Sequence, residues 1–507
     1  MKTTGRKVLA LALSVCAMSS VLGACGGGNA GGGLTGDDAL NIRVFDGGYG
    51  IEWAEKVAEA FHAKTGIRVS VKGSALRNQL AAELKTTEAK NQKYDLYLTD
   101  IIAGEDLLVD IADVYEHIPE GETVKIGDKF HDDVDTYYRK PNGSYYYSPW
   151  GVGATTITYN ADVITDDMVP NTTDEMIALC DSFKAQGQYS FIFGNDGNYW
   201  ERPYMNWWAQ YDGIEKYQLF YQGKTEADGI YTTDILYSQG KLRSLEICET
   251  LLGYDNGYTL PASTTYGFMT AQKNYFEGKA LMMVNGSWLE SEMDELFPNG
   301  CPFTIKGMKY PIISGIIERL PTINDDATLS AVVDYVDGKA GATVPVGVSD
   351  EDVEEVRAAR NIYAAGPGHQ ACIPKNAQHI ENAKTFLKYM YSKEGTNVYL
   401  QHSNGATLFT VGEEYDESWT SKLTPLQRSV IETLNSPTIK LSAPCVSDLT
   451  RAGLSNRETS VGLELLYCSQ NAKDRMTARQ IWQYDIDFYT NSDGLNWNTL
   501  LRDAGID

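Results

Sequence analysis

The side chains best suited to chemistry in this sequence are aromatic. The chain holds 32 Tyr and 9 Trp, and the stretch Tyr199-Trp200-Glu201-Arg202-Pro203-Tyr204-Met205-Asn206-Trp207-Trp208 crowds rings among polar groups. A pyranose presents a face of C–H groups that packs on an indole or phenol ring. Its edge hydroxyls need carboxylates, amides or Arg as hydrogen-bond partners. The stretch mixes both kinds, which makes Trp200, Tyr204 and Trp207 candidate ligand contacts. Trp207 and Trp208 are adjacent, so on a helix or a strand they diverge; at most one faces a ligand and the other is core. Covalent chemistry has no comparable signature. Asp and Glu are abundant, yet no pair stands out as the two carboxyl groups that a glycosidase holds about 5 Å or more apart across the scissile bond. No G-x-x-x-x-G-K-[ST] phosphate loop is present. Gly366-Pro367-Gly368-His369 precedes Cys372, but no C-x-x-C or H-E-x-x-H accompanies it, and it reads as a turn rather than a metal site. No catalytic residue, metal or cofactor is expected.

The elements that would position such contacts begin with Leu40 to Phe45, a strand in which Ile42 and Val44 alternate with Asn41 and Arg43. Trp53, Val57 and Phe61 recur at helical spacing, and Gly66 supplies the left-handed cap. Ile67 to Val71 alternates again, Leu76, Leu80 and Leu84 line a second helix, and Tyr94 to Leu98 returns as a buried strand. This β-α-β-α-β order predicts a parallel, doubly wound sheet that binds ligands beyond the carboxyl ends of its strands. Asp46-Gly47-Gly48-Tyr49 and Thr99-Asp100 fall there. Gly47 and Gly48 either bring backbone N–H groups to a ligand or serve turn geometry. Asp100 either accepts sugar hydroxyls or caps a turn beginning near Ile101. Further along, an apolar strand ends at Asn285-Gly286-Ser287 and presents Trp288. Leu329, Val332 and Val336 share a helical face, and the C-terminal stretch around Ile481, Ile486 and Trp497 reads as core.

The N-terminus speaks to compartment. Lys2, Arg6 and Lys7 precede an apolar run from Val8 to Val21, the order of a secretory signal and too short for a stable span. The run ends in Leu22-Gly23-Ala24-Cys25, which resembles the bacterial lipobox. The resemblance implies cleavage after residue 24 and diacylation of Cys25, attaching the protein to the outer face of the membrane without crossing it. Residues 26–33 are nearly all glycine, a flexible tether. The formal charge of −25 disfavours nucleic acid and anionic lipid as partners. The remaining chain is long enough for two lobes. Six cysteines from Cys180 to Cys468 are scattered far apart, and their pairing stays open.

Several segments carry a family resemblance. They are Lys64-Thr65-Gly66-Ile67, Asp95-Leu96-Tyr97 with Thr99-Asp100, Tyr145-Tyr146-Tyr147-Ser148-Pro149-Trp150-Gly151-Val152-Gly153-Ala154, the run Phe276 to Trp288, and Ile373-Pro374-Lys375 followed by Ala383 to Met390. In this order they resemble the family 1 extracellular solute-binding proteins of ABC transporters, the maltose-binding-protein-like group. The resemblance implies an α/β fold of two discontinuous lobes, of the type II Venus-flytrap kind, joined by crossover segments and closing on a ligand. It implies a monomer that binds an oligosaccharide or other small solute and delivers it to a permease whose ATPase is a separate chain. Tyr49, Trp150, Asn285 and Trp288 join the candidate contacts, Trp288 matching the position where sugar-binding members stack a ring. Glu201-Arg202-Pro203-Tyr204 looks like the family's Glu-Pro-Tyr segment with one residue inserted. Relatives often place a carboxylate just before the crossover strand, where this chain has Gly153 and Ala154, so its sugar should differ from maltose. The expected lobes are 39–155 with 310–375, and 156–309 with 376–507. A lipid-anchored carbohydrate enzyme and a binder of peptide or polyamine are the rival readings.

Overall fold

Strand β1 (Ala39–Phe45) leads into helix α1 (Glu52–Thr65), β2 (Arg68–Ser74), α2 (Arg77–Leu84) and β3 (Leu96–Thr99), the expected β-α-β-α-β order. This is a computed structural model, which describes residues 33–506 except 87, 102, 131–136, 141, 409–414, 416, 437 and 492–495. The signal segment and Cys25 lie outside the described residues. Both β2 and β3 run parallel to β1. Trp53, Val57 and Phe61 are fully buried along α1, and Gly66 closes it with φ 78°, its N–H donating to His62 O at 2.8 Å. Leu76 departs from its expected place on α2. It precedes the helix in an extended conformation and is 65% exposed, whereas Leu80 and Leu84 are buried.

The sheet then turns mixed. Strand β4 (Ser148–Asn160) meets β5 (Met282–Gly286), β6 (Ile305–Met308) and β8 (Ala365–Cys372), giving the order β2-β1-β3-β8-β4-β5 with β6 also on β4. A short β7 (Ile362–Tyr363) pairs separately with β9 (Lys440–Leu441). From Ser148 to Ala154, β4 is antiparallel to β8, and from Thr155 onward it is antiparallel to β5 and β6. The register slips around Gly151 and Gly153. Gly366-Pro367-Gly368-His369, expected as a turn, is part of β8, because this stretch pairs with β4 across those slips.

Two hydrophobic cores meet along these strands. Trp150 belongs to the first and Val152 to the second; on β8, Ala365 belongs to the second and Ala371 to the first. The chain crosses a third time between Trp419, in the first core, and Leu426, in the second. The lobes are therefore discontinuous, but they divide differently from the expectation. Tyr310, Leu329, Val332 and Tyr363 pack in the second core, whereas Phe386, Leu387 and Tyr399 pack in the first. The reason is local: the ring of Phe386 meets Phe61 of α1 edge-on at 5.2 Å, which ties helix Ile380–Met390 to the first lobe. Among the described residues all six cysteines are free, and no helix is long and apolar enough to cross a membrane.

An added Cβ at Gly66 would meet no atom, so only its left-handed backbone resists substitution. Gly66→Ala should cost about 1 kcal/mol in denaturant unfolding and leave ligand affinity unchanged; an unaltered midpoint would contradict this reading of the cap.

Candidate functional site

The first lobe brings its candidates to one edge. A tight turn, Gly50 N–H to Gly47 O at 2.8 Å, follows β1 and sends Tyr49 toward the second lobe. There the Tyr49 hydroxyl lies 3.2 Å from Ser287 Oγ, and its ring meets Trp288 edge-on at 5.7 Å. Gly48 serves this approach. A Cβ at residue 48 would fall 2.6 Å from Trp288 Cβ. Trp288 is half-buried at the end of β5, matching its expected presentation after a Gly-Ser turn. Near it, burial pushes the Tyr199 hydroxyl up to about 12, in a field shared by Glu292, Arg202 and Arg77.

Asp100 follows β3 as expected, and no helix begins at Ile101. The Ile101 N–H instead donates to Thr99 Oγ1 at 3.2 Å. One carboxylate oxygen of Asp100 accepts from Arg77 Nε; the other is inaccessible and has no partner. Beside it stands His369, on the crossover strand. Its ring packs between Trp150 at 4.6 Å and Tyr49 at 5.5 Å, and its Nδ1 is inaccessible and unpartnered. Burial pushes the imidazole down to about 4, so it is neutral at physiological pH. A Cβ added to Gly151 or Gly153 would lie 3.6–3.7 Å from this ring. The imidazole thus occupies the space beside Gly153, where relatives of the resembled family place a carboxylate.

Other candidates are structural. Trp150 is 1% exposed, stacks on Trp53 at 4.9 Å and donates to Thr99 O, which holds the turn before Asp100 from beneath. Trp200, Tyr204, Trp207 and Trp208 are all fully buried. Tyr204 donates to Asn456 O, Trp207 to Pro311 O and Trp208 to Asp212, so neither tryptophan of the pair faces a cleft. Helix Glu201–Asp212 is covered almost all round, which explains its aromatic density. Asn285 is fully buried in β5, and its side-chain oxygen accepts from the Gly286 N–H. Gly47 shapes the turn. Sequence reasoning missed Tyr199, Arg77, Ser287, Glu292 and His369. Only Tyr199 carried a signal, as a ring of the aromatic stretch that lies ahead of the helix and, unlike its neighbour Trp200, stays partly exposed.

A second bridge joins the lobes. Glu105 of the first accepts from Arg451 of the second at 3.0 Å and pairs with Lys140. Among the described residues no group of His, Cys, Asp and Glu could hold a metal ion.

Two α/β lobes hinged on shared strands, with polar and aromatic groups facing each other between them, define a two-lobed solute receptor of the periplasmic-binding-protein class. The chain belongs to the bacterial extracellular solute-binding protein family, whose model matches residues 56–422. Among solved structures it is similar to the bacterial solute receptor AcbH, described with an exclusive preference for β-D-galactopyranose. The identity is 14% and the TM-score 0.54, over 89% of this chain and 98% of that one. It is also similar to a structure described for xylan utilization by the thermophilic bacterium Caldanaerobius polysaccharolyticus, at 15% identity and TM-score 0.57, over 89% and 99%. At these identities the likeness shows the fold. No curated protein matches the chain.

Gly48→Ala should hold the lobes apart at Trp288, raising the radius of gyration in small-angle scattering; an unchanged radius would argue against close approach as the role of Gly48. The lowered pKa of His369 has a sign that can be checked. An imidazole with the ordinary pKa of 6.5 gains its proton before the folded one does. The stabilising contribution is therefore complete above pH 6.5 and is lost as pH falls toward about 4. His369→Gln should flatten that part of the melting-temperature profile, and a profile identical to the parent's would remove His369 as its source.

Proposed function

We propose that this chain is the extracytoplasmic capture subunit of an ABC importer and that it takes a sugar or oligosaccharide between its lobes. The observation that carries the reading is the half-buried Trp288 facing Tyr49 across the lobe junction, with unpartnered polar atoms of Asp100 and His369 nearby. An indole face suits the C–H face of a pyranose, and the carboxylate and neutral imidazole suit its hydroxyls. The two sugar-related structural neighbours support this choice of ligand over a peptide or polyamine. Binding rather than hydrolysis is the proposed activity.

The rest of the reading follows from the N-terminal sequence and the fold. Cys25, after signal cleavage, carries the lipid that anchors the receptor outside the cytoplasmic membrane, and the glycine-rich tether lets the monomer reach its permease. Closure is a population shift. A ligand touching both lobes favours the closed state by its differential contacts, and the permease, powered by a separate ATPase, reads that state.

Thermal unfolding against a panel of oligosaccharides, amino acids, peptides and polyamines tests the ligand class. A ligand at a hundred times its dissociation constant adds about 2.7 kcal/mol of stability. Stabilisation confined to saccharides is the expected outcome, and stabilisation only by peptides or polyamines would overturn the sugar assignment. Against the saccharide so found, Trp288→Ala should weaken binding by roughly 10- to 100-fold, the equivalent of losing about 1.5–3 kcal/mol of buried aromatic surface. Unaltered affinity in calorimetry would dismiss Trp288 as the stacking residue.

A further inference from the structure

Two charged side chains of opposite sign flank the lobe junction, each with one end free. Arg77 opens α2 in the first lobe and gives its Nε to Asp100. Its guanidinium carbon lies 4.7 Å from the centre of the Phe45 ring, and its side chain is 65% exposed. The terminal nitrogens take no partner among the described residues. Glu292 of the second lobe stands one helical turn beyond Trp288, its N–H donating to Trp288 O at 3.0 Å. Gln272 Nε2 donates to one of its carboxylate oxygens at 2.7 Å, and the other has no partner among the described residues.

A chain of contacts links the two. The Phe45 ring beneath Arg77 also meets the turn, where a Cβ at Gly47 would fall 2.5 Å from Phe45 Cε1, and the next residue, Gly48, approaches Trp288. The charges also act on each other. Burial pushes the Glu292 carboxyl up, and the Gln272 amide and the Arg77 guanidinium pull it back. The Glu292 charge reaches Tyr49 and Tyr199 as well. Among the described residues Arg77 and Glu292 do not pair directly, which leaves the position between them to a ligand.

Such a pair sorts ligands by chemistry. A guanidinium only donates and a carboxylate only accepts. Between them an ammonium is repelled by Arg77, and a carboxylate or sulfate by Glu292. A hydroxyl would need both groups to converge on one oxygen. A secondary amide is planar and trans, so its C=O and N–H point in opposite directions, as a donor on one wall and an acceptor on the other require.

Resting on the sugar-receptor reading, we infer that Arg77 and Glu292 are specificity-determining residues that grip an acetamido group from opposite lobes, and that the receptor selects N-acetylated amino sugars. Arg77 donates to the acetamido carbonyl, and Glu292 accepts from its N–H. One group of the ligand then touches both lobes and favours the closed state.

The test is calorimetric titration with matched disaccharides that differ only in carrying an acetamido group, a hydroxyl or a free amine at the 2-position, in the gluco and galacto series. Affinities are read as ratios within a series, which a general loss of binding does not mimic. The parent is compared with Arg77→Met, which keeps much of the side chain's length without its donors, and with Glu292→Gln. In the latter, Gln272 holds the new amide by its oxygen and turns a donor toward the N–H of the ligand. Folding of both is checked by circular dichroism. The acetamido sugar should bind tighter than its counterparts by about tenfold or more in at least one series, and the advantage should collapse in both variants. Preference for any saccharide without an acetamido group, or a ratio that survives either substitution, would overturn the inference and leave the sugar-receptor reading standing. Binding of peptides or polyamines but of no saccharide would overturn both.

Discussion

The structure depends on one strand serving two lobes. Over its 13 residues β4 leaves the first lobe and enters the second, and each buried peptide group on the way needs a partner, because an orphan costs as much as a lost hydrogen bond. The first half finds β8, and the second finds β5 and β6. The change of core falls between Trp150 and Val152, where the register slips at glycines. Bulges bend a strand and increase its local twist, so bending concentrates where they sit. The His369 ring lies beside Gly151 and Gly153 at the same place. Hinge and cleft floor are thus built from the same few residues.

With the crossover strands holding the lobes at the hinge, little else needs to hold them elsewhere. The described contacts across the gap include the hydroxyl pair Tyr49–Ser287, the edge-on ring contact with Trp288 and the ion pair Glu105–Arg451. A net hydrogen bond is worth about 1 kcal/mol, and a partly exposed ion pair about 0–1 kcal/mol. Contacts of this size are ones that a ligand can outweigh, because moving a two-state equilibrium from 1:99 to 99:1 takes about 5.5 kcal/mol of differential binding. Tighter packing would lock the lobes regardless of ligand.

What was legible in the sequence was what depends on neighbours in the chain. The alternation in β1, the helical spacing of Trp53, Val57 and Phe61, and the cap at Gly66 are local signals, and the fold obeys them. Assignment of segments to lobes is not local. Nothing within Ile380–Met390 says that Phe386 meets Phe61 more than three hundred residues away. The aromatic stretch misled for a related reason: its composition suits a sugar site and a crowded core equally, and tertiary packing buried its helix on nearly every side. His369 looked like part of a turn because Gly-Pro-Gly precedes it. Pairing with a bulged partner strand made it β-structure instead, and that pairing is set by β4, over two hundred residues earlier.

The unpartnered atoms at the junction bear on why closure should depend on ligand. His369 Nδ1 and one oxygen of Asp100 have no partner. So do both ends of the Asn206 amide, deep in the helix Glu201–Asp212, so an unpartnered atom does not by itself mark a site. What separates His369 and Asp100 is their place at the junction of the two lobes, beside Tyr49 and Trp288. In the proposed receptor, parting the lobes returns these atoms to water, and closing over an empty cleft strips that water away. A buried group left without its hydrogen bond costs about 1–3 kcal/mol, so two together cost on the order of the bias needed to switch the population. A ligand that brings hydroxyls to both removes the cost at the moment the lobes meet. The empty closed state is then disfavoured by the same groups that recognise the ligand, which ties the conformational signal to occupancy rather than to lobe contact alone.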